Sequence, residues 1–377
     1  MIFDSLTGAA IGEAALRVEG GAGPSGLDAC DWRQLCTSFG AASDDLCQAV
    51  AETAKRITTM DIPAEYLRSY VACCLLPLDK NPGVRPIGVC EVVRRIIGKA
   101  VLRILSRNIQ ETVGSRQLCA GQPAGVEAAI HAMRRIYESD ETEAVLLVDA
   151  SNAFNQLNRA AALHNIGILC PELAIILKNT YKEESRLFVG GEKLISAEGT
   201  TQGDPLAMSM YAIGVLPLIQ ELEQHNTRQV WFADDATDSG QLSCIKLWWE
   251  HLATRGPDYG YFVNPPKTWL LVKEEHLTTA QKWFAGAGIN STTEGRRLLG
   301  AAIGKKTFIS NYLKEQCFGL PKHVERLAEI AVSQPQAAYT VLTHGLASEW
   351  TFISRAMEEA GVYLQQVEEM VSSSTIG

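Results

Sequence analysis

The 377-residue chain is predicted to be an α+β protein, and three observations carry that reading. Residues 144–149 form a continuous apolar run of strand length closed by an aspartate, which marks a buried central strand. Two further stretches, 75–87 and 186–195, set short apolar segments on either side of Asn-Pro-Gly and Gly-Gly, the composition of hairpins. Helical patterns fill both ends and most intervals between these strands.

The elements follow in order. Residues 1–60 read as a helical leader broken at Gly20-Gly21-Ala22-Gly23-Pro24-Ser25-Gly26. This heptapeptide matches the dinucleotide-binding spacing by letter, but Pro24 falls inside the loop and no βαβ unit surrounds it, so a flexible joint is expected. The 75–87 hairpin carries Lys80 and Arg85 near its tip. A helix is expected from 91 to 109, where Arg95, Lys99, Arg103 and Arg107 recur every four residues as one slowly drifting stripe. Taken alone, such a stripe reads as a solvated face. Residues 159–168 and 171–181 read as helices, and Pro205 suits the first turn of a long apolar helix reaching about residue 221. Val230-Trp231-Phe232-Ala233 then leads into Asp234-Asp235 as strand and turn. Trp248 and Trp249 offer rings for base stacking, but their setting within residues 247–252 favours a packed helix. From about Phe308 the chain turns helical, most clearly over 326–343 and 349–370.

Bulk properties bound the function. A hydrophobic fraction of 46% with 20% charged residues predicts an ordinary packed core. No apolar run approaches the roughly 18 residues of a membrane span, and the N-terminus lacks a basic-then-apolar signal. Ten cysteines without a CxxC pair read as reduced thiols, so an intracellular protein, nuclear or cytoplasmic and without a membrane partner, is expected. The seven histidines show no ligand spacing. A net charge of −9 opposes phosphate binding, yet residues 79–135 hold ten basic against four acidic residues, a surplus of six that leaves −15 elsewhere.

The chemistry gathers on acids. Asp149 ends the apolar strand, Asp234-Asp235 sit in the later turn, and Gln202-Gly203-Asp204-Pro205 lies between them. Hard divalent cations take oxygen ligands, commonly one or two carboxylates plus substrate phosphates. Two such ions can activate an attacking hydroxyl and steady a leaving pyrophosphate, which suggests a polymerase.

The ordered series Asp149 with Phe154 five residues on, Gln202-Gly203-Asp204-Pro205, and Phe232-Ala233-Asp234-Asp235 resembles the palm of reverse transcriptases, particularly those of eukaryotic retroelements of the non-LTR type. The resemblance covers roughly residues 75–300. It implies a right-hand polymerase architecture with an antiparallel-sheet palm: leader over 1–60, fingers and palm over 61–300, helical thumb-like segment over 301–377. It implies Asp149 and Asp234 as principal metal ligands, Asp235 as the auxiliary acid, and two Mg2+ ions with Mn2+ as substitute. Phe154 would lie beneath the sugar of the incoming nucleotide and exclude a 2′-hydroxyl; its plain alternative is a core aromatic. Gln202 and Gly203 would lie against nucleotide and template, with glycine permitting close backbone approach. Lys80 and Arg85 would hold the triphosphate. Lys267, in Asn264-Pro265-Pro266-Lys267, resembles the lysine that protonates pyrophosphate, its alternative being a surface lysine in a turn. Leu298-Leu299-Gly300 resembles the primer-grip hairpin. Arg95, Lys99, Arg103 and Arg107 are the candidate nucleic-acid contacts.

The chain departs from the family pattern at three places. Asn155 follows the gate aromatic where a second Asp is frequent, Thr201 stands where an arginine often precedes Gln-Gly, and Phe232 replaces a tyrosine. RNA-templated RNA polymerases usually carry Gly before the paired acids and a polar group in place of Phe154, and neither is present. The expected activity is RNA-templated DNA synthesis from dNTPs on an RNA or DNA template with primer. Endonuclease and RNase H activities are expected to be separate or missing, since no segment resembles them. The alternative is a catalytically decayed or domesticated relative that only binds nucleic acid or protein.

Overall fold

The computed structural model describes residues 2–79 and 83–365. Among the described residues eleven strands run in chain order: β1 (Cys73–Asp79), β2 (Val84–Cys90), β3 (Ala144–Val148), β4 (Ser185–Val189), β5 (Glu192–Ser196), β6 (Arg228–Phe232), β7 (Asp235–Gly240), β8 (Trp269–Val272), β9 (Asn290–Thr292), β10 (Gly295–Leu298) and β11 (Ala301–Gly304). Helices fill the intervals and both ends, so the α+β expectation stands.

The central sheet has the order β6-β7-β3-β8-β9. β3 is covered on both faces, with Ala144, Val145 and Leu146 fully buried, which is why its sequence is continuously apolar. The palm sheet is mixed, not wholly antiparallel, because β9 joins the edge strand β8 in parallel. A second sheet, β2-β1-β4-β5, carries the 75–87 hairpin and also contains one parallel pair, β1 with β4. β10 and β11 form a separate hairpin whose loop residues Leu299 and Gly300 both take positive φ, as a tight primed turn requires.

Two departures from the expected helices have the same cause. The apolar helix after Pro205 is split into Ala207–Gly214 and Leu216–Leu222 with Pro217 in the first turn of the second piece. The 326–343 helix is likewise cut, with Leu320–Ser333 ending before Pro335–Val341. Trp248 and Trp249 are buried, and the Trp248 indole donates to Gln229 Oε1 at 3.1 Å, as a packed helix demands.

The leader is not a loosely tethered extension. Phe3, Leu6, Ile11 and Val18 share one core with Ile96, Val101 and Leu105 of the helix Val92–Val113. The glycine-rich break is docked rather than flexible: Ser25 donates to both Glu91 carboxylate oxygens at 2.7 Å, and a Cβ on Gly23 would meet Glu91 Cα at 2.8 Å. A second core joins Ile130, Met133, Val145 and Leu271 to β10, β11 and the C-terminal helices.

Candidate active site

Register brings the acids together. β3 runs antiparallel to β7 with Val148 opposite Ala236, so Asp149 leaves β3 beside the start of β7 at Asp235. Phe232 pairs with Asp235 across the β6–β7 hairpin, which makes Ala233-Asp234 a two-residue loop. All three acids line one cavity of about 480 Å³. Asp149 and Asp235 also border an adjoining groove with Lys267, Trp269 and Arg296.

The electrostatics agree with the geometry. The Asp235 carboxyl opens to the cavity, yet the protein mass around it, then Asp234, then Asp149, push it up to about 6. Among the described residues no three His, Cys, Asp or Glu side chains cage an ion by themselves. Magnesium in nucleotidyl-transfer sites is held by one or two carboxylates plus substrate phosphates. Mutually repelling aspartates open to a cavity fit that donor set; a full protein cage is not what it needs.

The same cavity collects Arg85 from β2, Phe154 from the short helix Ala153–Gln156, and Gln202 and Gly203 from the loop before Ala207–Gly214. Phe154 is half-buried and stacks on Tyr211 with ring centroids 4.6 Å apart. Gly203 takes φ +115°, and a Cβ there would lie 2.3 Å from the Gly88 carbonyl oxygen, so its close approach is to the chain's own β2. The Gly88 N–H donates to the Gln202 carbonyl at 2.7 Å, tying this loop to the second sheet. Thr201 packs its methyl over Gly88. Lys267 ends the turn Pro265–Lys267, exposed, at the adjoining groove. Lys80 lies outside the described residues.

The basic stripe is not part of this site. Arg95 donates to the Glu19 carbonyl at 2.7 Å and to the Gly21 carbonyl, and Lys99 donates to the Arg17 carbonyl at 2.6 Å. Arg103 pairs with Glu13, and Arg107 with Glu111 one turn on. Three of the four cations thus serve the leader, two of them at carbonyls just past the helix Gly8–Leu16, where the dipole favours positive charge.

Several residues that local spacing does not reveal hold the site. Asn264 donates its side-chain amide to the Asp149 carboxylate at 3.0 Å and its backbone N–H to the Asp149 carbonyl at 2.8 Å. The Tyr261 hydroxyl donates to the Asp234 carbonyl at 2.9 Å. Gln117 bonds both backbone groups of Ala233. Asp204 accepts from the buried Arg94 guanidinium, from the Tyr181 hydroxyl at 2.6 Å and from the Leu206 N–H at 2.9 Å.

A mixed sheet that presents two strand-end acids and a third in a hairpin loop, roofed by a glycine-containing loop, is the palm of a right-hand nucleic-acid polymerase. The sequence profile of the family described as reverse transcriptase (RNA-dependent DNA polymerase) matches residues 78–303, and the chain belongs to that family. Among solved structures, apo telomerase from Candida tropicalis aligns over 89% of this chain and 72% of its own, at 12% identity and TM-score 0.50. A form of that enzyme truncated from its C-terminal domain aligns over 73% and 66%, at 12% and 0.47. Telomerase from Candida albicans in complex with a TWJ fragment of telomeric RNA aligns over 92% and 60%, at 10% and 0.49. The chain therefore spans between 60% and 72% of the length of these structures, and the likeness speaks to fold alone. Neither comparison assigns a retroelement branch. No curated protein sequence matches the chain.

Proposed function

We propose that this chain is an RNA-directed DNA polymerase, adding dNTPs to a primer 3′-hydroxyl on an RNA or DNA template. The observation that carries the reading is the meeting of Asp149, Asp234 and Asp235 with Arg85, Phe154 and Gln202 around one cavity. Two Mg2+ ions, with Mn2+ as substitute, held by Asp149 and Asp234 with Asp235 in support, would supply activation of the primer hydroxyl and charge neutralisation of the triphosphate. The protein's own part is placement. Arg85 meets the phosphates from the finger strand, and Phe154, backed by Tyr211, closes the space a 2′-hydroxyl would need. Asn264 orients the Asp149 carboxylate, and Lys267 stands at the exit groove as proton donor to pyrophosphate. Among the described residues no helix is long and apolar enough to cross a membrane. The decayed-relative alternative is not favoured: the acids and their orienting partners are in place together.

Primer extension on poly(rA)/oligo(dT) with dTTP and magnesium or manganese tests the reading. Extension is expected from the parent chain, and Asp234→Asn should abolish it with the melting temperature held. Normal extension by the variant, or none by the parent in either metal, overturns the assignment.

A further inference from the structure

We propose that Gln117 is the positioning residue that aims Asp234 and Asp235, a role that rests on the polymerase reading above. Gln117 is fully buried and lines neither the acid cavity nor the adjoining groove, so it does not meet substrate. Both ends of its carboxamide are spent on one residue. Oε1 accepts the Ala233 N–H at 2.7 Å, and Nε2 donates to the Ala233 carbonyl at 3.0 Å. The next residue, Leu118, donates its N–H to the Trp231 carbonyl at 2.9 Å, so segment 117–118 runs alongside β6 and sets Gln117 level with the loop.

Ala233 needs such a clamp. It takes φ +55°, a conformation favourable to glycine and costly for a residue with a Cβ. A non-glycine residue keeps positive φ only where its surroundings over-determine it. Ala233 directly precedes Asp234, and relaxation to negative φ would swing both acids away from Asp149. Tyr261 holds the Asp234 carbonyl, so two side chains from distant positions fix three backbone groups of the loop. A carboxamide is the one neutral side-chain group with a donor and an acceptor spaced to grip an N–H and a C=O together.

The test uses the full chain with Gln117→Leu, Ala233→Gly and both together. Gln117→Leu should lower kcat for primer extension about 100-fold, the scale of a misplacement near 1 Å. KM for dTTP should stay within about threefold, because Arg85, Phe154 and Gln202 are untouched. Adding Ala233→Gly should restore at least about tenfold, since glycine holds positive φ without the clamp. Amide exchange of the 230–236 peptide should be slow in the parent and faster in Gln117→Leu. Should Gln117→Leu not fold, Gln117→Glu, which keeps the acceptor and loses the donor, is read in the same way. A folded Gln117 variant with parental kcat or parental exchange overturns the proposal, as does absence of rescue by glycine. If the parent chain does not extend primers, the polymerase reading fails while exchange still decides the clamp.

Discussion

Arg94→Met is expected to be among the most destabilising single changes in this chain. The Arg94 and Asp204 side chains are 3% and 1% exposed and face each other as a buried ion pair. The guanidinium also donates to the Val71 carbonyl at 3.1 Å and lies over the Tyr181 ring, 5.6 Å from its centroid. Removing one partner of a buried pair leaves an uncompensated charge and costs about 3–5 kcal/mol. Asp204 keeps the Tyr181 hydroxyl and the Leu206 N–H, which places the loss at the low end, about 3 kcal/mol. The orphaned Val71 carbonyl adds about 1 kcal/mol, for a total near 4 kcal/mol. Arg94→Met with Asp204→Leu should recover only the charge part of this, because apolar replacement removes the buried charge while the Val71 carbonyl, the Tyr181 hydroxyl and the Leu206 N–H each remain without their partner, leaving about 3 kcal/mol. Urea unfolding followed by circular dichroism, run as a double-mutant cycle, measures all four states. A cost below about 1 kcal/mol for Arg94→Met, or a double variant as unstable as the sum of the singles, would refute the reasoning. The pair also anchors Gln202-Gly203, so Arg94→Met should raise KM for dNTP.

Three further outcomes are expected. Phe154→Ala should raise ribonucleotide use roughly 10- to 100-fold in competition with deoxynucleotides, and unchanged sugar discrimination would remove Phe154 from the gate. Asp238, fully buried on β7, has its carboxyl pushed up to about 8 by burial, above an unfolded value near 3.9. Its protonated form favours the fold, so this stability is full below about pH 4, falls progressively as pH rises, and is gone above about 8; Asp238→Asn should flatten that loss in a melting series from about pH 4 to 9. Replacing Arg95, Lys99 and Arg103 together with glutamine should expose residues 20–26 to limited proteolysis and lower the melting temperature, with little change in the salt dependence of template binding; a flattened salt slope would return the stripe to nucleic acid.

The features legible in the sequence are those set by short-range rules. A continuous apolar run of strand length with a closing acid located β3 and Asp149, and adjacent acids after an apolar run located the β6–β7 loop. Their meeting could be expected only through the resemblance, because register between β3 and β7 is decided across about ninety residues. The groups that hold them were not legible for the same reason: Gln117 to Ala233, Asn264 to Asp149 and Arg94 to Asp204 all span more than a hundred positions. Nothing local separates these residues from ordinary surface polar ones.

The stripe on Val92–Val113 shows the limit from the other side. Cations every fourth residue describe a helix face equally well whether it meets water, phosphate or the carbonyls ending another helix. What decided the matter is the leader, whose apolar side is buried on the same helix through Ile11 and Val18. Once that packing sets the leader in place, the carbonyls of Arg17, Glu19 and Gly21 fall within reach of Lys99 and Arg95. Charge in this segment therefore follows apolar burial rather than leading it, and the −9 net charge does not conflict with the proposed polymerase, which asks for phosphate contacts only from the few cations, such as Arg85, that line the cavity.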